Sequence, residues 1–149
     1  MKHIFKLSLA ISLLFGCFLS LSAQESMSEL TGQCAASAGD VTYLKDFPVK
    51  LDAGTPGGKP LSAKFSMLLS KNTAYRFTIC TAPDSEGEAI LQIYELNNLI
   101  GSTYNEATGK DYPSFDFKCQ KTAVYHIFIS FKEGKPGEAV GIMSFIERL

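Results

Sequence analysis

From Val41 to the C-terminus, apolar and polar residues alternate with a period of two. That spacing places successive side chains on opposite faces of a β-strand. AYRFTIC (74–80) sets Tyr75, Phe77 and Ile79 on one face and Arg76 and Thr78 on the other. AVYHIFISF (123–131) carries the strongest such pattern, with Tyr125, Ile127, Ile129 and Phe131 together. SFDFKC (114–119) alternates Phe115 and Phe117 against Asp116 and Lys118, and AILQIYEL (89–96) sets Leu91 and Ile93 against Gln92. AKFSMLL (63–69), LIGSTYN (99–105) and AVGIMSFIE (139–147) extend the series. VTYLKDFPVKL (41–51) contains a further strand, in which Pro48 requires a sheet edge or a break. Turn residues separate these runs, at Ser70–Thr73, at Asn97-Asn98 and in KEGKPG, and Glu106–Pro113 is polar enough to be a loop. About eight strands with short turns and no long helical pattern predict an all-β fold, a single-domain antiparallel β-sandwich of jelly-roll type over residues 41–149.

The N-terminus changes where such a domain would work. Lys2 and Lys6 precede an apolar run from Leu7 to Leu21, and small residues follow up to Ala23. That order predicts a signal peptide over residues 1–23, with an apolar stretch short for a membrane span. Export to the periplasm or beyond the cell is therefore expected. Leu14-Phe15-Gly16-Cys17 offers a less favoured alternative, a lipoprotein anchored through Cys17, but Phe15 is bulky where a small residue is usual. Removing Lys2 and Lys6 leaves 12 basic against 15 acidic side chains, a net charge near −3. A nucleic-acid partner is not expected, because such a surface needs a basic excess. The mature chain also lacks a second apolar run long enough for a transmembrane span.

Residues 24–40, QESMSELTGQCAASAGD, are small and polar and predict a lead-in segment, with a short helical turn around Ser28–Gln33 as the lesser alternative. After processing, Cys34, Cys80 and Cys119 remain, and an oxidising compartment permits a disulfide between two of them. Cys80–Cys119 is the favoured pair because both end predicted strands, with Cys34 to either partner left open. No C-x-x-C pair points to zinc.

The order of "LSKNTAYRFTIC", an acidic turn, "EAILQIYELNNLIGST" and "SFDFKCQKTAVYHIFISF" resembles two β-sandwich families. One is the GOLD domain of secretory-pathway cargo receptors and their bacterial relatives. The other is the pre-peptidase C-terminal module that accompanies secreted bacterial proteases. The residues that carry the likeness are Tyr75 and Phe77, Ile93 and Tyr94, Phe115 and Phe117, and Tyr125, Ile127 and Ile129. The resemblance implies a non-catalytic, GOLD-like module facing a protein or a glycan. The chain departs from both patterns at Thr122-Ala123, where a glycine is common, and it has neither the coiled coil of the first family nor the protease of the second.

Three side-chain groups could carry chemistry. Asp84, Glu86 and Glu88 form an acidic turn that could supply oxygens to calcium, although the EF-hand ligand series is absent and a solvated hairpin is the plainer expectation. No other cofactor is expected. His126 is the one histidine beyond the leader, and no G-x-S-x-G surrounds any serine, so a catalytic role is not expected. Phe128 shares the face of His126, opposite the presumed core. It belongs either to a second buried layer, the preferred option, or to a patch for a partner. The function expected from these features is an exported, non-enzymatic binding or assembly module that meets another envelope or secreted protein. A calcium-stabilised or carbohydrate-binding module is the alternative.

Overall fold

The computed structural model describes residues 18–149, with side chains described from Ala23. The candidate acylation site Cys17 and most of the expected leader lie outside the described residues. A helix, α1 (Phe18–Ser37), precedes ten strands: β1 (Thr42–Leu51), β2 (Ser62–Leu69), β3 (Thr73–Thr81), β4 (Ala89–Glu95), β5 (Asn98–Ser102), β6 (Tyr104–Asn105), β7 (Lys110–Asp111), β8 (Ser114–Cys119), β9 (Ala123–Phe131) and β10 (Gly137–Arg148). Two four-stranded antiparallel sheets, ordered β1-β10-β3-β8 and β2-β9-β4-β5, form a sandwich, and β6 and β7 make a small separate hairpin. Period-two burial is seen in β4 and β9, whereas β10 is buried on both faces from Ala139 to Ser144, and Pro48 lies on an edge strand as its missing N–H requires.

The core fills the space between the sheets. Phe47, Phe77, Leu91, Ile93, Ile127 and Ile129 are wholly buried there, and Phe65, Phe115 and Phe117 pack against them. Each fully buried side chain of this size contributes roughly 1.5–3 kcal/mol, against a chain-entropy cost of similar total. Phe47 meets Phe65 across the sheets at 5.0 Å between ring centres, and Phe117 meets Tyr125 edge-on at 5.3 Å. Burial of Tyr125, helped by its contact with the Cys119 thiol, pushes its hydroxyl pKa well above the ordinary value.

Residues 24–37, expected as a lead-in, are helical. Met27, Leu30, Thr31, Cys34, Ala35 and Ala38 fall on one stripe, the helical i, i+3, i+4 spacing, and all are wholly or partly buried. The stripe covers Val140 and Ile142 on the outward side of β10. At the helix C-terminal end Arg76 donates from Nη1 to the Ala38 carbonyl at 3.0 Å. Its Nε and Nη2 hold both oxygens of Asp116, its cross-strand partner, at 2.6 and 2.8 Å. One guanidinium thus joins helix, β3 and β8 and places positive charge where the helix dipole is negative.

The disulfide is Cys34–Cys80, with the two Cα atoms 5.8 Å apart. This corrects the favoured Cys80–Cys119 pairing. Cys119 lies opposite Thr73 at the start of β3, whereas Cys80 stands near its other end. Cys119 also points into the core, 1% exposed, as a free thiol near the Tyr125 hydroxyl. Two cysteines that end adjacent antiparallel strands can therefore be a full strand length apart. Closing the 46-residue separation constrains the unfolded chain by about 4 kcal/mol in the loop-entropy account.

Candidate functional site: the open face of the second sheet

The two sheets differ in what covers them. The outer side of β1-β10-β3-β8 lies beneath the tethered helix, whereas the outer side of β2-β9-β4-β5 faces solvent. The register there builds cross-strand rows. Ser62, Ser130 and Ile90 form one row, Lys64, Phe128 and Gln92 the next, and Ser66, His126 and Tyr94 the third. Leu68 and Val124 pair at the far end, 67% and 52% exposed. Leu96, just beyond β4, is 76% exposed.

Phe128 is half-buried and packs edge-to-face against Tyr94 at 5.4 Å between centres, with the Lys64 ammonium 5.7 Å above its ring. The preferred second buried layer is therefore not what surrounds it. One ring edge meets a tyrosine, and the remaining surface contributes to a groove. His126 accepts or donates at Nδ1 to Ser66 Oγ at 2.9 Å, a residue on the neighbouring strand. Among the described residues no carboxylate hydrogen-bonds to that imidazole, so the orienting third group of a nucleophilic triad is not supplied here.

The groove holds about 1000 Å³. Ser62, Ile90, Gln92, Tyr94, Phe128 and Ser130 line it from the sheet, and Lys59 and Pro60 line it from the segment entering β2. Tyr104 and Lys132 line it as well. Thr103 fixes the base of the β6–β7 hairpin. Its buried Oγ1 accepts from the Leu91 N–H at 2.9 Å, and its own N–H donates to the Leu91 carbonyl at 3.0 Å. Lys132 then latches the hairpin. Its ammonium pairs with Asp111 on β7 and with Glu88 at 3.1 Å, and lies 4.4 Å from the centre of the Tyr104 ring. Desolvation lowers the Lys132 pKa, but the hydrogen bonds it donates to Asp111 and Glu88, with the charge of those carboxylates, outweigh it and leave the pKa raised.

The acidic turn meets this groove without becoming a metal cage. Glu86 and Glu88 line the groove, Asp84 does not, and Glu88 is occupied by Lys132. Ser85 fixes the turn instead, donating from Oγ to the Gly87 carbonyl at 2.7 Å and accepting from the Glu138 N–H at 3.1 Å. Among the described residues no three His, Cys, Asp or Glu side chains gather closely enough to hold a metal ion. Phe128 and two of the three acids thus share one groove, with His126 on the next row. The sequence reading missed Tyr104, Lys132 and Gln92. A tyrosine in a short polar hairpin and a lysine after the strongest strand carry no periodic signal, although the outward position of Gln92 was legible.

Among the described residues no helix is long and apolar enough to cross a membrane. No protein-family model matches the chain, and no curated protein sequence matches it. Among solved structures it is similar to PliG of Aeromonas hydrophila, described as a periplasmic lysozyme inhibitor of g-type lysozyme. The TM-score is 0.52 at 7% identity, covering 70% of this chain and 88% of that one. At that identity the likeness is one of fold, and the chain is an antiparallel all-β sandwich.

Proposed function

We propose that this chain is an exported, non-catalytic binding module that docks a protein partner on the open face of its second sheet. The observation that carries this reading is the exposed aliphatic pair Leu68 and Val124, together with Leu96 exposed in the turn after β4 of the same sheet. Leu96 has a left-handed backbone (φ 53°) and is 76% exposed. A bulky residue there incurs backbone strain and gains no burial within the chain, a combination that a docking contact would offset. Export fits the Cys34–Cys80 disulfide and the N-terminal pattern. The fold likeness to a periplasmic enzyme inhibitor supports a protein as partner and makes a glycan-cleaving enzyme the first class to test.

The test compares the wild-type chain with a Leu68→Asp/Val124→Asp variant, both used as bait on the native envelope, and then as additives to a g-type lysozyme assay on cell-wall suspensions. A stoichiometric partner held by the wild type and lost from the folded variant is the expected result, with slowed lysis identifying a lysozyme as that partner. Equal retention by both baits, or retention by neither, contradicts the proposal.

A further inference from the structure

We infer that the groove beside this docking row binds an extended, neutral oligosaccharide, a ligand beyond the protein partner proposed above. Three observations converge. First, the groove is long. A second hollow of about 560 Å³ shares Gln92, Tyr94, Tyr104 and Glu106 with the first and continues past them to Tyr112. The first hollow alone is of the size of small-ligand clefts, roughly 300–1,000 Å³. Together they make a path suited to a chain of repeating units.

Second, the lining combines rings with planar polar groups. Tyr94 and Tyr104 line both hollows beside Gln92 and Glu106, and Phe128 and Ser130 line the first. A pyranose presents an apolar C–H face and an equatorial rim of hydroxyls. The first suits an aromatic surface, and the second suits amide and carboxylate acceptors and donors.

Third, the groove is electrostatically nearly balanced. Lys132 pairs with Glu88 at 3.1 Å and Lys135 with Glu133 at 3.2 Å, so most of its charge is neutralised before a ligand arrives. Glu86 and Glu106 line it without an ion pair among the described residues and are available to accept from hydroxyls. Lys59 is the remaining charged lining residue, so two carboxylates stand against one ammonium and an anionic ligand would meet no net attraction. An extended peptide could add only at the edge strands β2 and β5, because β4 and β9, which floor the groove, are hydrogen-bonded on both sides. Side-chain recognition of a neutral polyhydroxyl chain fits these constraints best.

The experiment titrates the ¹⁵N-labelled exported chain with three soluble tetrasaccharides. They are β-1,4-linked glucose, β-1,4-linked N-acetylglucosamine and α-1,4-linked glucose, each taken to millimolar concentration. At least one is expected to shift the amides of Gln92, Tyr94, Tyr104 and Phe128 saturably. Gln92→Ala and Tyr94→Ala should each weaken that affinity about tenfold or more. Leu68→Asp should bind the sugar as wild type, which separates this inference from the protein-docking proposal. The amide spectrum itself reports whether each variant is folded, and Gln92→Ala serves if Tyr94→Ala is not. The inference is overturned if no tetrasaccharide gives saturable shifts, if the shifts map away from the groove, or if folded Gln92→Ala binds unchanged. It is equally overturned if an unstructured peptide occupies the groove in place of every sugar.

Discussion

Cys34 on α1 is bonded to Cys80 on β3, and that bond fastens a helix over one sheet while the opposite sheet stays bare. The helix stripe of Met27, Leu30 and Cys34 is narrow and built partly of small side chains, so the tether supplies what burial alone does not. A Cys34→Ser/Cys80→Ser variant should lose about 2–4 kcal/mol in urea unfolding. Intact mass before and after reduction should report one bridge. Cys119 should resist alkylation until the protein unfolds, because its thiol is 1% exposed. Rapid alkylation of native Cys119 would contradict this pairing.

Beneath that helix, Thr78 is 1% exposed and its Oγ1 has no hydrogen-bond partner among the described residues. A buried hydroxyl without a partner costs about 1–3 kcal/mol, and valine has nearly the same shape. Thr78→Val should therefore raise stability, by up to about 1 kcal/mol, in thermal or urea unfolding. A clear loss would show that the hydroxyl is satisfied in solution.

The Arg76 hydrogen bonds hold the Asp116 carboxyl below the usual carboxylate range, with desolvation opposing and the charge of Arg76 adding to them. A depressed folded pKa contributes stability that is present above the unfolded value, about 3.9, and is lost as pH falls through the folded one. Asp116 is 47% exposed, so solvent screening limits the effect to under about 1 kcal/mol. Asp116→Asn should be slightly less stable than wild type near pH 7, and the gap should close in strong acid. A gap that widens with acid would reverse the assignment.

Calcium should do little. Glu88 is committed to Lys132, and Asp84 lies outside the groove that Glu86 and Glu88 line. Millimolar calcium should leave the melting temperature unchanged in wild type and in Asp84→Ala/Glu86→Ala alike. A rise abolished by the double variant would restore the calcium-stabilised alternative.

Strand positions and faces were legible because burial on a sheet repeats every two residues, and Tyr75, Phe77, Ile127 and Ile129 all point as the alternation requires. The helix was legible only as a short turn around Ser28–Gln33, although its stripe runs from Met27 to Ala38. Thr31, Cys34, Ala35 and Ala38 are small and weakly apolar, so their helical spacing stands out little against the polar residues between them. The disulfide depended on strand register, and register is set by pairing between distant segments that no single stretch encodes. The groove was half legible for the same reason. Phe128 and His126 could be placed on an outward face from their own strand, but the approach of Tyr104 and Lys132 depends on the β6–β7 hairpin folding back.

The central claim is that recognition belongs to the uncovered sheet. Hydrogen–deuterium exchange on the chain, alone and with its captured partner, tests it most directly. The account predicts new protection confined to residues 62–69, 89–102 and 123–131, with α1 and β10 unchanged. Protection that falls on α1 and the outer side of β10 instead would contradict it.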